Sequence, residues 1–200
     1  MPRPAVFFDR DNTLIACHAY LGDPSKVVLV DRAAVAIAGV RALGYRTVIV
    51  SNQAGVGRGF FTEADVRAVN ARLDQLLRSI RPDAIIDAHY FCPFHRDAVV
   101  PAYRRDSELR KPRPGMLLQA ARELDLDLQK SWMIGDTSKD IEAGRAAGCR
   151  TILVRHAHLQ ASPDAAEPPQ INPDFVVNTV AQASQKIHHE DTKAAKKSDV

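Results

Sequence analysis

The chain has 200 residues, 46% of them hydrophobic, and a formal net charge of +3. That length suits one domain with a sizeable core, and because much of the positive excess sits in the closing HHEDTKAAKKSDV, the near-neutral body shows no nucleic-acid footprint. Cys17, Cys92 and Cys149 are odd in number and widely spaced, MPRPAVFFDRD lacks the apolar core of a signal peptide, and no run reaches membrane-spanning length, so a cytoplasmic protein without disulfides or membrane contact is expected.

The first informative stretch is Ala5 to Ile15, AVFFDRDNTLI. Ala5-Val6-Phe7-Phe8 is short and apolar without alternation, the pattern of a buried parallel strand. Asp9 then stands at the carboxyl end of that strand, where open α/β sheets bind ligands. Asp9 and Asp11, two residues apart on an extended chain, project to one side. Carboxylates that close repel unless a cation lies between them, and a hard divalent ion such as Mg²⁺ prefers such oxygens. Taken alone, Asp-x-Asp-Asn-Thr reads equally well as a turn.

Residues 14–31, LIACHAYLGDPSKVVLVD, read as a loop or small flap with a turn at Gly22-Asp23-Pro24. A helix is predicted from Arg32 to Leu43, stopped by Gly44, followed by a buried strand at Thr47-Val48-Ile49-Val50. This strand runs into Ser51-Asn52 and the glycine-bearing Gln53-Ala54-Gly55-Val56-Gly57-Arg58-Gly59, whose amides and hydroxyl suit a phosphate as well as a plain connecting loop. Thr62 and Asp65 form a capping-box start for a helix carrying Val66, Val69, Leu73, Leu76 and Leu77 on one face and ending at Pro82.

A third strand is read at residues 84–91, and its His89 fits a packed, hydrogen-bonded residue better than a ligand. A loop from Cys92 to Arg110 leads to Arg110-Lys111-Pro112-Arg113-Pro114-Gly115, where prolines fix the backbone beside two cations. A helix begins near Gly115 and ends near Leu124-Asp125. Ser131-Trp132-Met133-Ile134-Gly135 is another strand running into acids, with Asp136 at its end, as ligand or helix N-cap, and Asp140 in the next helical turn. That helix stops at Gly148, and Thr151-Ile152-Leu153-Val154 is the fifth strand. Beyond a polar, proline-bearing segment come a last strand, Phe175-Val176-Val177, and a helix from Val180 to Ile187. The folded part is expected to span residues 1–188, with a disordered tail over 189–200.

Strands alternating with helices give an α/β fold with a doubly wound, mostly parallel sheet. Its strand ends and connecting loops carry three acids, a hydroxyl, an amide and two positive charges, the constellation of a phosphoryl-transfer site.

The motifs DRDNT, the serine of VIVSN, the lysine of RKPRPG and GDTSKD occur in the order that resembles the haloacid dehalogenase (HAD) superfamily, over Ala5 to Val154. NQAGVGRGFFTEADV, CPFH and RKPRPGMLLQAA further resemble the group of histidinol phosphatases and heptose-1,7-bisphosphate 7-phosphatases. The resemblance implies a HAD-like core without a large cap domain, and an Mg²⁺-dependent phosphomonoesterase working through an aspartyl-phosphate on Asp9. Asp11 would protonate the leaving oxygen and then activate water, and Ser51 and Lys111 would stabilise the transferring group. Mg²⁺ would rest on Asp9, the main-chain carbonyl of Asp11 and Asp136, supported by Asp140. Asn52 and Arg110 would recognise substrate, joined by Cys17, His18, Ala19 and Tyr20 of the flap.

Structural zinc in that group lies on Cys-x-His followed by Cys-x-Cys. In this chain Phe94, Ser107 and Leu109 replace ligands and leave Cys92 with His95 nearby, so no zinc is expected. The partner is a small phosphorylated metabolite, a heptose bisphosphate first and histidinol phosphate as the alternative, handled by a monomer. A phosphotransferase, or a binding module with an idle pocket, are the readings of another class.

Overall fold

The computed structural model describes residues 2–17, 20–156 and 172–198. Ala5–Phe8 forms strand β1, with all four side chains fully buried. Val6 and Phe8 join one hydrophobic cluster and Ala5 and Phe7 another. This is the period-two alternation of a strand covered on both faces.

The chain continues through helix α1 (Ala33–Ala42), strand β2 (Arg46–Asn52), the single turn α2 (Ala54–Gly57), helix α3 (Glu63–Ile80) and strand β3 (Ala88–Cys92). Then follow α4 (Gly115–Leu124), β4 (Trp132–Gly135), α5 (Ser138–Ala147), β5 (Arg150–Val154), β6 (Phe175–Val177) and α6 (Val180–Ser198). One six-stranded sheet in the order β3-β2-β1-β4-β5-β6 results, with every pairing parallel. Phe7 lies opposite Val48 on one side and Met133 on the other, which makes β1 the central strand where the winding reverses. A crevice at the carboxyl ends of the strands forms at such a switch point.

Helices α1, α3 and α6 pack on the face of Val6 and Phe8 through Ile37, Val40, Leu73, Leu77, Ala183 and Ile187. The other face is covered by α4 and α5 through Met116, Leu117, Ala120, Ala143 and Ala147. Burying a side chain of Leu or Phe size contributes about 1.5–3 kcal/mol, so these two layers drive folding. The start of α3 is the capping box read from the sequence, with Thr62 and Asp65 exchanging hydrogen bonds, and Gly44 adopts φ 90° after α1. Residues 14–31 carry a short 3-10 turn at Pro24–Lys26, and Leu14, Ile15, Val27 and Val30 sink into the core, so the flap is anchored by apolar residues at both ends.

Two elements depart from the sequence reading. The third strand pairs only from Ala88, because Ala84 and Ile85 are drawn into a turn after α3, and side chains of α1 and β2 add to the one backbone bond from Asp87 N to Thr47 O. Thr47 Oγ1 donates to Ile85 O at 2.5 Å, and the Asp87 carboxylate accepts from Thr47 N at 2.8 Å and binds Arg41 and Arg46. The closing helix runs to Ser198, so most of the stretch expected to be disordered is helical. Polar contacts hold it, as Tyr45 Oη donates to Asp191 at 2.9 Å and Arg150 binds Glu190 at 2.8 Å while stacking over Trp132. Apolar periodicity, the signal that ends at Ile187, does not register such anchors. Among the described residues no separate cap domain is present, and no helix is long and apolar enough to cross a membrane.

Candidate active site

Parallel strands deliver the acids to one place. Asp9 follows β1 directly, and its N–H donates to Ile134 O at 2.8 Å, which locks the ends of β1 and β4 together. Asp136 follows β4, and Asp140 lies in the first turn of α5. One oxygen from each of Asp9, Asp136 and Asp140 lies within 4.8 Å of the others, the one group of three or more His, Cys, Asp or Glu among the described residues close enough to share an ion. Gly135 makes this possible, since a Cβ there would overlap the carboxyl group of Asp140.

Lys111 enters from the far side, 2% exposed, with Nζ 2.6 Å from Asp9 Oδ1, 2.6 Å from Asp140 Oδ1 and 2.7 Å from Val50 O. Its backbone is clasped by Asn52: Lys111 N donates to Asn52 Oδ1 and Asn52 Nδ2 donates to Lys111 O, both at 3.0 Å. Asn52, expected to face substrate, makes its observed bonds to Lys111. The other oxygen of Asp140 accepts from Thr137 N and Thr137 Oγ1 at 3.0 and 2.7 Å. Thr137, not Asp136, is therefore the N-cap of α5, which leaves Asp136 without a capping duty.

Three carboxylates, two buried and that of Asp136 half-buried, surround one ammonium. Burial pushes the Asp9 carboxyl up to about 7 against the pull of Lys111, with Asp140 and Asp11 adding repulsion. Asp136 is pushed up to about 9 by burial and then by Asp9 and Asp140. Burial would lower Lys111, but Asp140 and Asp9 outweigh it and hold the ammonium above its usual range. The residual negative charge is what a divalent cation would neutralise, and oxygens are the donors that Mg²⁺ takes.

Asp11 is arranged differently. The chain turns at Asn12, at φ 58°, where Asn12 N donates to Ile15 O and Asn12 Oδ1 accepts from Cys17 N. This turn folds the fully buried Arg10 onto its neighbour, Nε donating to Asp11 Oδ1 at 3.0 Å and the second guanidinium nitrogen to Oδ2 at 3.1 Å. Gln53 Nε2 donates to Asp11 Oδ2 at 2.9 Å and to Ser51 Oγ at 2.7 Å. Gln53, Arg10 and Asn70 carried no role in the sequence reading. The one cue was that Gln53 follows Ser51-Asn52 at a strand end.

Of the other expected residues, Arg110 is half-buried and donates to Phe94 O at 3.4 Å. Cys17 is half-buried beside Asn12, and Tyr20 stacks against Phe60 at the wall of a cleft of about 680 Å³ between the flap and the start of α3. None of Asp9, Asp11, Asp136 and Asp140 lines that cleft. His18 and Ala19 lie outside the described residues. His89 is packed and bonded to Asp74 at 3.0 Å, as a structural histidine would be. The Cys92–Arg110 loop is held by Phe94 between Tyr103 and Arg105, by Tyr103 Oη on Glu63 and by Arg104 on the carbonyls of Ala98 and Val99. Cys92 is buried with its thiol on Phe94 O. Phe94, Ser107 and Leu109 offer no thiolate or imidazole, so the loop does not supply the four ligands of a closed zinc site.

A family model for HAD-hydrolase-like proteins matches residues 108–183. The crystal structure of D,D-heptose 1,7-bisphosphate phosphatase from B. bronchiseptica, complexed with magnesium and phosphate, superposes with a TM-score of 0.79 at 25% identity, covering 94% of this chain and 99% of that one. The parallel sheet, the acids at its centre and these matches define the class: the chain belongs to the HAD-type phosphatases. Within that class it is similar to D-glycero-beta-D-manno-heptose-1,7-bisphosphate 7-phosphatase of Yersinia pestis, 36% identical over 92% of this chain and 95% of that protein. The D-glycero-D-manno-heptose-1,7-bisphosphate 7-phosphatase of Chlorobaculum tepidum is 39% identical over 89% of this chain and 90% of that protein.

Proposed function

We propose that this phosphatase removes the 7-phosphate of D-glycero-D-manno-heptose 1,7-bisphosphate and depends on Mg²⁺. The observation that carries the chemistry is Asp9 at the carboxyl end of β1, 2.6 Å from the buried Lys111 and grouped with Asp136. The names of the relatives support the substrate, and the magnesium and phosphate in the B. bronchiseptica structure support the cofactor.

The steps follow from the residues. An oxygen of Asp9 attacks phosphorus, and the bond from phosphorus to the sugar oxygen breaks as Asp11 gives that oxygen a proton. Water then attacks the phosphorus of the aspartyl-phosphate, losing its proton to Asp11. The bond to Asp9 breaks and inorganic phosphate leaves. Lys111 Nζ and Ser51 Oγ, both on buried residues, are assigned to hold the equatorial oxygens throughout. Asp9, Asp136 and the main-chain carbonyl of Asp11 would hold Mg²⁺, which supplies positive charge to the phosphoryl oxygens when bound. Asp140 fixes Lys111 from behind. Arg110 and the flap residues Cys17, His18, Ala19 and Tyr20 are assigned to the sugar end. With three free cysteines, the protein is assigned to the cytoplasm, acting as a monomer on a small metabolite.

Phosphate release from heptose 1,7-bisphosphate anomers, histidinol phosphate, other sugar phosphates and nucleotides, with and without Mg²⁺, tests the reading. Preferential Mg²⁺-dependent release from a heptose bisphosphate is expected. Preference for another ester would remove the substrate assignment, and release without any divalent ion would remove the metal.

A further inference from the structure

A carboxylate offers about four acceptor positions, two on each oxygen. In Asp11 three are occupied: Oδ1 receives Arg10 Nε, and Oδ2 receives both an Arg10 guanidinium nitrogen and Gln53 Nε2. The remaining position is on Oδ1. Adjacent side chains on an extended strand point to opposite faces, so an Arg-Asp fork between neighbours exists only because the backbone turns at Asn12. Arg10 is itself fixed, fully buried, with its other terminal nitrogen donating at 3.0 Å to Asn70 Oδ1 on α3. A buried guanidinium is costly unless its donors are met, and here they are met by Asp11 and Asn70.

Gln53 reaches two functional groups with one amide. It is 3% exposed, and the same Nε2 that touches Asp11 donates to Ser51 Oγ at 2.7 Å. Its amide is turned with the NH₂ end toward both groups, so that one nitrogen with two hydrogens serves Asp11 and Ser51 together. With a lone pair of Ser51 taken, the hydroxyl is left to donate its proton elsewhere.

We infer that Gln53, backed by Arg10 and Asn70, is a positioning residue that fixes the orientation of the Asp11 carboxyl group, with a position on Oδ1 as the one left open, and turns the Ser51 hydroxyl outward as a donor. This rests on the phosphatase reading and adds the atom through which the acid acts. Without Gln53, a position on Oδ2 opens as well, and the carboxyl group is no longer held in the one orientation that presents Oδ1 to the leaving oxygen. The penalty falls on esters that need a protonated leaving group.

The test uses phenyl phosphate and p-nitrophenyl phosphate, esters of nearly equal shape whose leaving groups differ in basicity. The full chain with Mg²⁺ and its Gln53→Met variant are compared by kcat/KM, which reports bond breaking to the leaving group and not the later hydrolysis. The expected result is a loss of about tenfold or more on phenyl phosphate with a loss of about threefold or less on p-nitrophenyl phosphate. Should Gln53→Met fail to fold by circular dichroism, Gln53→Asn, which keeps an amide one methylene short, is expected to raise the same ratio. An unchanged ratio in the folded variant, whether both esters slow equally or neither slows, overturns the inference and leaves the phosphatase reading standing. A wild-type protein that releases phosphate neither from these esters nor from heptose 1,7-bisphosphate overturns the two together.

Discussion

Asp9 and Asp87 are both carboxylates paired with buried or half-buried cations, at opposite ends of the sheet and with opposite results. Asp87, beside the amino end of β2, binds Arg41 and Arg46 at 2.7 and 2.6 Å and accepts from Thr47 N. Burial pushes it up, but the Thr47 amide, Arg46 and Arg41 more than compensate, and the carboxyl is held below its usual range. Asp9, at the carboxyl end of β1, shares one lysine with Asp140, and burial, joined by repulsion from Asp140 and Asp11, pushes it up to about 7 against the pull of Lys111. One cluster satisfies its charge and acts as a strap. The other leaves charge over, a surplus of acids over cations that a divalent ion would balance.

The largest effect expected from breaking this contrast is Asp9→Asn. It removes the attacking oxygen, and turnover of any phosphomonoester should fall on the order of 10⁴-fold or more, with circular dichroism unchanged. Retained turnover would mean that Asp9 is not the nucleophile.

Next comes Lys111→Met, which leaves the buried Asp9 and Asp140 and the half-buried Asp136 without their cation. A loss of about 3–5 kcal/mol in urea unfolding is expected without metal, together with loss of turnover, and millimolar Mg²⁺ should restore part of the stability. Stability unmoved by this substitution would contradict the charge imbalance.

pH separates the two clusters without mutation. Asp9 and Asp136 have raised pKa values in the folded state, so the folded protein binds more protons than the unfolded chain between about pH 4 and about pH 9. Stability from these groups is greatest below the unfolded pKa and falls as pH rises through that window. Metal-free protein should lose on the order of 5–10 °C in Tm between those limits, and Mg²⁺ should remove most of the loss. Asp87, lowered, has the reverse sign: its contribution is present above its unfolded pKa and lost as pH falls through its folded one. A metal-free Tm flat across the window would count against the acid cluster.

The smallest effect is Asp87→Asn. It should cost about 1–2 kcal/mol of stability and leave kcat/KM at the wild-type value, since nothing in that strap reaches the phosphoryl site. A drop in activity without a drop in stability would overturn the distinction between strap and site.

How much of this was legible in the sequence depended on how local each feature is. Asp9, Asp11, Ser51, Lys111 and Asp136 could be located because each stands at the end of an apolar strand or beside fixed prolines, and parallel strands bring their ends to one side. The capping box of α3 and the stop at Gly44 were equally local. Asn70 was not legible and Gln53 only through its place after Ser51-Asn52, because Arg10 lies 60 residues from Asn70 and Asp11 lies 42 residues from Gln53. The inward turn of Asn52 escaped for the same reason, its partner Lys111 lying 59 residues on. The shortened β3 and lengthened α6 share one cause: their polar groups are met by side chains from distant elements, which hydrophobic patterning does not register.

Asn52 also has a consequence for how this enzyme could be remade. It pairs with Cys92 in the sheet and clasps the backbone of Lys111, so both ends of the 93–110 segment meet at one residue. The neck of that segment is already tied off, and lengthening or replacing what hangs from it adds little further closure entropy. The segment therefore behaves as a cassette. Its contents can be exchanged with those of relatives while Lys111 stays where β2 holds it.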